Sequence, residues 1–259
     1  MTLQITNKHL EVAIQAADAA REITLKYFRQ PLEIVQKSDS SPVTIADQET
    51  EKLIREILGD AFPEHGFYGE ETGQTNIDQD WTWVVDPIDG TASFSTGKPT
   101  FGTLIALCHQ GIPQLGIIDH AALDERWVGI RGEQTTYNGQ VVKTNTQKTT
   151  LAEVAVYATT PDMFDEKTLP RYQALAEQCK FKVFGADCMA YGLLASGFTE
   201  LVIEADLKPY DFMALVCVVE GAGGVISDWQ GKPITLDTND QILASANSDL
   251  HQAALSIVK

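Results

Sequence analysis

Residues 81–91 read WTWVVDPIDGT, an apolar run that ends in a turn with two acids. The first five residues are aromatic or β-branched, which favours a strand, and a proline and a glycine follow as turn signals. Gly90 and Thr91 then stand at a predicted helix start, where backbone N–H groups without intrahelical partners can bind a phosphate. The ordinary alternative is a tight turn in which Asp86 and Asp89 serve only as capping acids.

Two amphipathic helices are predicted before this stretch. Apolar residues recur at helical spacing from Asn7 to Arg29. Asp47 stands where an N-cap belongs, and Gly59 follows the next apolar face as a stop signal.

Turn signals after the stretch predict a sheet. Gln110 and Gly111 join two apolar runs, and Asn138 and Gly139 mark another turn, which is typical of antiparallel hairpins. Beyond residue 150, predicted strands and helices alternate. We therefore predict an α/β protein with an N-terminal part, residues 1–145, that holds a large antiparallel sheet and the acidic turn. Residues 146–259 form a second α/β part that completes the site.

Charge excludes several classes of partner. The 259 residues include 36 acids and 19 bases, a formal net charge of −17. Such an excess repels nucleic acid and anionic membranes, so we expect neither as a partner. We see no membrane span and no signal peptide, which predicts a cytoplasmic protein. A phosphorylated substrate would need positive charge from a bound metal.

Four acids share one kind of setting, at a strand end, a turn or a helix start. They are Glu70, Asp86, Asp89 and Asp211. Together with the Ile88 carbonyl they could supply the oxygen ligands that Mg²⁺ prefers. Taken singly, each could instead be a helix cap or an ordinary exposed acid, and Asp211 would cap its helix in any case.

The same segments resemble the signature set of the inositol monophosphatase superfamily. They are Gly69–Glu71, Trp83–Thr91, Tyr210–Asp211 and Glu220–Gly224, in the order and at the spacing of the family. The resemblance implies a layered αβαβα sandwich, usually a homodimer, and Mg²⁺-dependent hydrolysis of small phosphate monoesters.

The resemblance also implies a role for individual residues. Those that match the family's metal ligands are Glu70, Asp86, the Ile88 carbonyl, Asp89 and Asp211. Asp47 and Thr91 match the pair that orients the attacking water, and Glu70 is counted with them as catalytic. Two or three Mg²⁺ ions would neutralise the acids and the phosphate, and a metal-bound water would attack phosphorus directly. The Gly90 and Thr91 amides would hold phosphate oxygens.

Further segments resemble the histidinol-phosphate phosphatase branch, among them Gly97–Pro99, Glu125–Gly129 and the stretch from Asp187 to Asp211. This resemblance places Asp187 and Glu204 against the leaving group. Histidinol carries an ammonium and an imidazole, which carboxylates bind by charge-assisted hydrogen bonds. We therefore expect a histidinol-phosphatase of histidine biosynthesis, although Asp187 could also be a helix N-cap.

Two other functions stay open. One is an inositol-1-monophosphatase or a phosphatase of broad specificity for sugar and polyol phosphates. The other is a non-catalytic regulator that binds a metal or a phospho-ligand, which would have no need of Asp47 and Thr91. The loop 36–44 resembles the family's mobile segment, where Lys37 could neutralise phosphate, or it is simply a solvated loop.

Overall fold

Helices and strands alternate along the part of the chain that the computed structural model describes, residues 5–31, 35–36 and 42–259, with the backbone alone described at 35–36 and 42–43. The helices are α1 Asn7–Tyr27, α2 Ile45–Ala61, α3 Thr91–Ser95, α4 Leu169–Gln178, α5 Met189–Ala195, α6 Pro209–Gly221 and α7 Ser248–Val258. The strands are β1 Val35–Gln36, β2 Pro42–Val43, β3 Gly66–Gly69, β4 Gly73–Thr75, β5 Trp81–Asp89, β6 Gly102–His109, β7 Ile112–His120, β8 Glu125–Ile130, β9 Thr136–Tyr137, β10 Gln140–Val141, β11 Ala155–Ala158, β12 Phe181–Phe184, β13 Leu201–Glu204, β14 Val225–Asp228 and β15 Ile242–Ser245. Single turns of 3-10 helix lie at Ala121–Leu123, Leu151–Glu153 and Pro161–Met163.

The larger sheet formed by these residues has eight strands in the order β10-β9-β8-β7-β6-β5-β3-β4. Its neighbours are antiparallel except β3 and β5, which run parallel. Gln110 and Gly111 between β6 and β7 have φ angles of 47° and 76°, as a two-residue hairpin that follows the sheet twist requires. Asn138 and Gly139 repeat this between β9 and β10, with φ angles of 45° and 77°. Both predicted turns and the antiparallel sheet are confirmed.

The smaller sheet has five strands in the order β12-β11-β13-β15-β14. Strand β11 runs parallel to both β12 and β13, and β15 is antiparallel to β13 and β14. The predicted alternation of strands and helices after residue 150 is found here. The predicted division between residues 145 and 146 falls in the connection between the two sheets and stays a prediction.

Helix α6 lies between the two sheets. Its residues from Phe212 to Val219 are all buried, as expected of a helix that is apolar on every side. It approaches β7 closely at Gly116, where a Cβ atom would lie 1.9 Å from the Ala214 carbonyl oxygen. Among the described residues, no helix is both long enough and apolar enough to cross a membrane.

The remaining helices complete the layers. Helices α1 and α2 pack on the outer face of the larger sheet, and α5 lies with α6 between the sheets. Helices α4 and α7 pack on the outer face of the smaller sheet. The order is therefore helix, sheet, helix, sheet, helix, which confirms the predicted αβαβα sandwich.

The predicted limits of α2 were wrong at both ends. Thr44 is the N-cap, and Asp47 is the third helical residue, whose carboxylate accepts a hydrogen bond from the Thr44 N–H. Two cap-forming residues three positions apart can make a capping box, in which the first of them is the N-cap and the helix begins directly after it. Gly59 lies within the last turn and faces open space, so it costs some helix stability without ending the helix.

Candidate active site

Glu70 lies beside Asp86 because their strands run parallel. Gly69 at the end of β3 pairs with Val85 in β5, so the next residue on each strand is an acid. The Glu70 N–H donates to the Val85 carbonyl at 3.2 Å, which extends the pairing by one step. The sheet thus brings together two of the four predicted acids.

A bulge in β5 brings Asp89 to the same place. The β5–β6 pairing shifts register between Asp86 and Asp89, with three residue steps on β5 opposite two on β6. The extra residue bends the strand and releases backbone groups from the ladder. The Ile88 N–H donates to Asp86 Oδ1 at 3.0 Å, and the Ile88 carbonyl oxygen lies 3.1 Å from the Thr91 hydroxyl oxygen.

Helix α6 supplies the fourth acid, Asp211. It was expected to cap the helix, but it is the third helical residue, and its Oδ2 accepts from the Lys208 N–H at 2.7 Å. Asp86, Asp89 and Asp211 each place one carboxylate oxygen within 4.8 Å of the other two. Ligands of one octahedral Mg²⁺ lie about 3 Å apart when adjacent and about 4 Å apart when opposite, so small side-chain movements would let the three oxygens share a cation.

We call Glu70, Asp86, Asp89 and Asp211 the acidic cluster. Within the described residues, no lysine or arginine forms an ion pair with its three aspartates. Burial, and then the charge of Glu70, raises the pKa of Asp86 well above its usual range. Burial raises the pKa of Asp89 in the same direction and that of Asp211 to about 7. Buried like charges either hold protons or bind a cation, and oxygen donors fit a hard divalent cation.

Asp47 and Thr91 meet from two separate helices, as the pair predicted to orient water. The Thr91 hydroxyl donates to Asp47 Oδ1 at 3.1 Å. Asp47 Oδ2 accepts from the Thr44 N–H at 2.8 Å and from the Thr44 hydroxyl at 2.6 Å. Burial raises the pKa of the Asp47 carboxyl although these hydrogen bonds oppose the change.

Gly90 and Thr91 form the start of α3, as predicted. Gly90 is left-handed, with a φ of 79°, and a Cβ atom there would lie 2.7 Å from the Asp187 carboxyl carbon. The first N–H groups of a helix have no intrahelical acceptor. Both residues line the same cavity as three acids of the acidic cluster.

Asp187 is not the N-cap of α5, which is the position of Cys188. Its backbone is left-handed, with a φ of 50°, and its side chain points to two hydroxyls instead. Asp187 Oδ2 accepts from Ser93 at 2.6 Å and from Thr100 at 3.0 Å. Among the described residues no hydrogen bond reaches Asp187 Oδ1, so that oxygen can accept one from a ligand.

Glu204 ends β13 and is buried, at 4% exposed. Its Oε1 accepts from the Thr159 N–H at 3.0 Å and from the Thr159 hydroxyl at 2.6 Å. Its Oε2 accepts from the Tyr191 hydroxyl at 2.8 Å. Burial raises the pKa of Glu204 to about 7, so a nearby cation would favour its ionised form.

One cavity of about 260 Å³ joins most of these groups. Its described lining contains no lysine or arginine. The predicted site residues on it are Glu70, Asp89, Gly90, Thr91, Asp187, Glu204 and Asp211. Asp47 and Asp86 do not line it, but Asp47 accepts a hydrogen bond from the Thr91 hydroxyl and Asp86 accepts one from the Ile88 N–H. Lys37 lies outside the described residues.

Several site residues were missed by sequence reasoning. The hydroxyls of Ser93, Thr100 and Thr159 fix Asp187 and Glu204, and Glu51 contacts the loop after Glu70. No local sequence pattern identifies the hydroxyl partners, since Ser93 is 94 residues from Asp187. A local pattern does identify Glu51, because it follows Asp47 by four residues and so lies on the same helix face.

Comparison with known proteins agrees with this geometry. The profile of the Inositol monophosphatase family matches residues 6–259. The bifunctional phosphatase IMPL2, chloroplastic, of Arabidopsis thaliana is 48% identical over 248 residues, which cover 92% of this chain and 71% of that protein. A histidinol-phosphatase of Chlorobaculum parvum is 32% identical over 250 residues, and 96% of each chain is covered.

A solved structure extends the likeness to three dimensions. An inositol monophosphatase from Zymomonas mobilis matches with a TM-score of 0.88 and 40% identity, over 96% of each chain. The layered fold, the converging acids and the match along almost the whole sequence agree with one another. The chain therefore belongs to the inositol monophosphatase family, and it is a phosphatase of that family.

Proposed function

We propose that the protein is a Mg²⁺-dependent histidinol-phosphatase, which hydrolyses L-histidinol phosphate to L-histidinol and phosphate. The observation that carries this proposal is the second pair of acids, Asp187 and Glu204, in a cavity whose described lining has no basic side chain. The ammonium and imidazole of histidinol would gain charge-assisted hydrogen bonds there. A polyol offers hydroxyls alone and would gain less from two carboxylates.

Divalent cations are required on charge grounds. A phosphate monoester adds about −1.5 to −2 to the four carboxylates of the acidic cluster. The groups that would hold two or three Mg²⁺ ions are Glu70, Asp86, the Ile88 carbonyl, Asp89 and Asp211. When bound, the cations neutralise the phosphate and stabilise the charge that develops during displacement at phosphorus.

Thr91 and Asp47 would orient the attacking water. The Thr91 hydroxyl donates to Asp47, so its oxygen is left to accept a hydrogen bond from water and to direct a water lone pair at phosphorus. A proton from that water can pass through the hydroxyl to the Asp47 carboxylate, which Thr44 holds in place. The N–H groups of Gly90 and Thr91 would hold the phosphate oxygens meanwhile.

Asp187 would recognise the leaving group more directly than Glu204. Ser93 and Thr100 both donate to its Oδ2, which fixes the carboxylate and leaves Oδ1 for the substrate. Glu204 already accepts three hydrogen bonds. A carboxylate offers about four lone pairs, so about one is left for the substrate. We assign substrate binding to both acids and the larger share of specificity to Asp187.

A second candidate is hydrolysis of inositol 1-phosphate or of a range of sugar and polyol phosphates. The 40% identity to an inositol monophosphatase structure and the word bifunctional in the name of the Arabidopsis relative favour it. A non-catalytic regulator is a weaker candidate, because it would not need the hydrogen bond between Thr91 and Asp47.

Initial rates on L-histidinol phosphate and inositol 1-phosphate, measured in parallel with and without EDTA, test the proposal. We expect kcat/KM to favour histidinol phosphate by at least about tenfold, the value of one charge-assisted hydrogen bond, and EDTA to abolish both activities. Asp187→Asn should reduce this preference, whereas Asp162→Asn, an exposed charge-matched control, should leave it unchanged. A preference for inositol 1-phosphate would assign the second candidate, and no turnover of either would contradict both.

We further propose a homodimer, as the family resemblance implies, and a cytoplasmic location. The name of the Arabidopsis relative places that protein in the chloroplast. Light scattering coupled to size exclusion would test the dimer by its mass.

A further inference from the structure

Glu51 in α2 is a buried acid that contacts the loop carrying Glu70. Its side chain is 0% exposed. Its Oε2 accepts from the Glu71 N–H and its Oε1 from the Thr72 N–H, each at 2.7 Å. Within the described residues, no lysine or arginine pairs with it. The two backbone N–H groups are therefore its described hydrogen-bond partners.

The same carboxylate packs against the residue before Glu70. A Cβ atom at Gly69 would lie 2.4 Å from Glu51 Oε1, so any larger residue at position 69 would push the carboxylate away. Glu51 thus contacts the chain on both sides of Glu70. The Glu70 N–H also donates a hydrogen bond to the Val85 carbonyl, which holds Glu70 against β5.

We propose that Glu51 is a positioning residue that fixes Glu70 within the acidic cluster. Two parallel hydrogen bonds to consecutive N–H groups define both the place and the direction of the loop, as one bond could not. Glu51 does not line the site cavity, so it would act on the site through the loop that carries Glu70. This inference rests on the cation site of the proposed function.

Helix α2 thereby holds two parts of the site at once. Asp47 lies one turn before Glu51 on the same helix face and binds Thr91. A rigid helix keeps these two carboxylates at a constant separation. The water-orienting pair and the Glu70 loop are thus held in fixed relation by one element.

Replacement of Glu51 by glutamine should loosen Glu70 without removing a ligand. The amide keeps one acceptor oxygen, but its NH₂ group would face a backbone N–H, and two donors cannot bond. One buried N–H would lose its partner, and the loop would shift to satisfy it. Outer residues that orient metal ligands typically contribute about 10-fold to 100-fold in metal affinity.

Mn²⁺ binding to the whole protein, followed by EPR without substrate, tests the inference. We expect Glu51→Gln to weaken the binding about tenfold. Glu51→Asp keeps the charge but withdraws the carboxylate by one methylene, so it should weaken binding as well. Glu56→Gln removes the same charge from the exposed face of α2 and should bind within about twofold of the wild type. The Mg²⁺ concentration for half-maximal activity should rise in parallel, with kcat at saturating Mg²⁺ almost unchanged.

Wild-type binding in both Glu51 variants would overturn the inference. So would normal binding in Glu51→Asp beside weak binding in Glu51→Gln, since charge and not position would then matter. Equal losses in Glu51→Gln and Glu56→Gln would have the same meaning. If the wild type binds no Mn²⁺, the cation site of the proposed function fails and this inference fails with it. Should Glu51→Gln not fold, Glu51→Asp against the wild type decides.

Discussion

Asp119 and the aspartates of the acidic cluster are buried acids in different electrostatic surroundings. Asp119 on β7 is 1% exposed and lies between two arginines, with Arg21 Nε 2.8 Å from its Oδ2 and Arg126 bound to its Oδ1. Arg126 continues to Asp18 at 2.6 Å, so the network is closed within the chain. In the described structure the aspartates of the acidic cluster have no such partner.

We propose that the difference separates a structural acid from functional ones. Burial of a charge without a partner costs several kcal/mol, and the chain supplies the partner where the acid only holds elements together. In the described structure the aspartates of the acidic cluster have no basic partner, so under the proposed function they would be available to an exchangeable cation. Mutation and metal removal should therefore affect the two regions in opposite ways.

Asp86→Asn should have the largest effect. We expect activity to fall by about 10³-fold, because a group that stabilises charge at the reacting centre is lost. In EDTA the variant should nevertheless unfold at a higher temperature than the wild type, since a buried like charge has been removed. Assays with saturating Mg²⁺ and thermal unfolding in EDTA check both results. Wild-type activity would refute the role of the acidic cluster.

Asp119→Asn should have the reverse effect, a loss of stability with activity retained. Arg21 and Arg126 would lose a shared partner, and we expect unfolding to become easier by about 2–3 kcal/mol, because both side chains are mostly buried. Urea unfolding measures this. Asp124→Asn, whose side chain is 88% exposed beside the same Arg21, is the control and should cost less than about 1 kcal/mol. Equal losses in the two variants would contradict the distinction.

Mg²⁺ should stabilise the wild type only through the acidic cluster. At ten times its dissociation constant, a ligand that binds only the folded state adds about 1.4 kcal/mol, which corresponds to about 4 °C in Tm for a chain of this size. Asp119→Asn should keep this shift and Asp86→Asn should lose it. Thermal unfolding with and without Mg²⁺ at constant ionic strength is the measurement. A shift that persists in Asp86→Asn would place the cation elsewhere.

A change in pH should have a smaller effect, on the stability that the metal-free acidic cluster confers. The pKa of Asp211 is raised from 3.8 to about 7, chiefly by burial, so between these pH values the folded state holds a proton that the unfolded state lacks. The metal-free wild type therefore loses stability as the pH rises through this window. The stability advantage of Asp211→Asn over the wild type should grow by about 1 kcal/mol from pH 6 to pH 7. Urea unfolding in EDTA at the two pH values tests this, and a constant difference would disprove it.

Local patterns in the sequence were sufficient for the hairpins of the larger sheet, although they did not predict its strands β3 and β4. Two-residue turns such as Gln110–Gly111 require positive φ angles, which few residues other than glycine and asparagine accept readily, so their positions can be read directly. The apolar run Trp81–Val85 likewise predicted a strand, although β5 continues beyond it through the bulge to Asp89. The meeting of Asp47 with Thr91 was expected from the family resemblance alone, since the two are 44 residues apart.

The partners of the buried acids could not be predicted, because tertiary packing chooses them. Asp187 looked like a helix cap, yet a left-handed backbone turns it toward Ser93 and Thr100. Thr44 and Asp47 have the spacing of a capping box, a pattern that favours Thr44 as the N-cap and that the prediction of Asp47 did not use. Glu51 follows Asp47 by one helical turn, but the backbone N–H groups that it binds leave no trace in the sequence pattern, so its partners could not be predicted.

The place of α6 limits how the molecule can be divided. Its buried side chains belong to the core on the inner faces of both sheets, and it carries Asp211 to the acids that β5 supplies. A cut in the connection near residue 145 would leave each fragment with an uncovered apolar surface and an incomplete set of acids. We therefore expect that two such fragments regain phosphatase activity only when they reassociate, so that fragment complementation would report on the packing of α6.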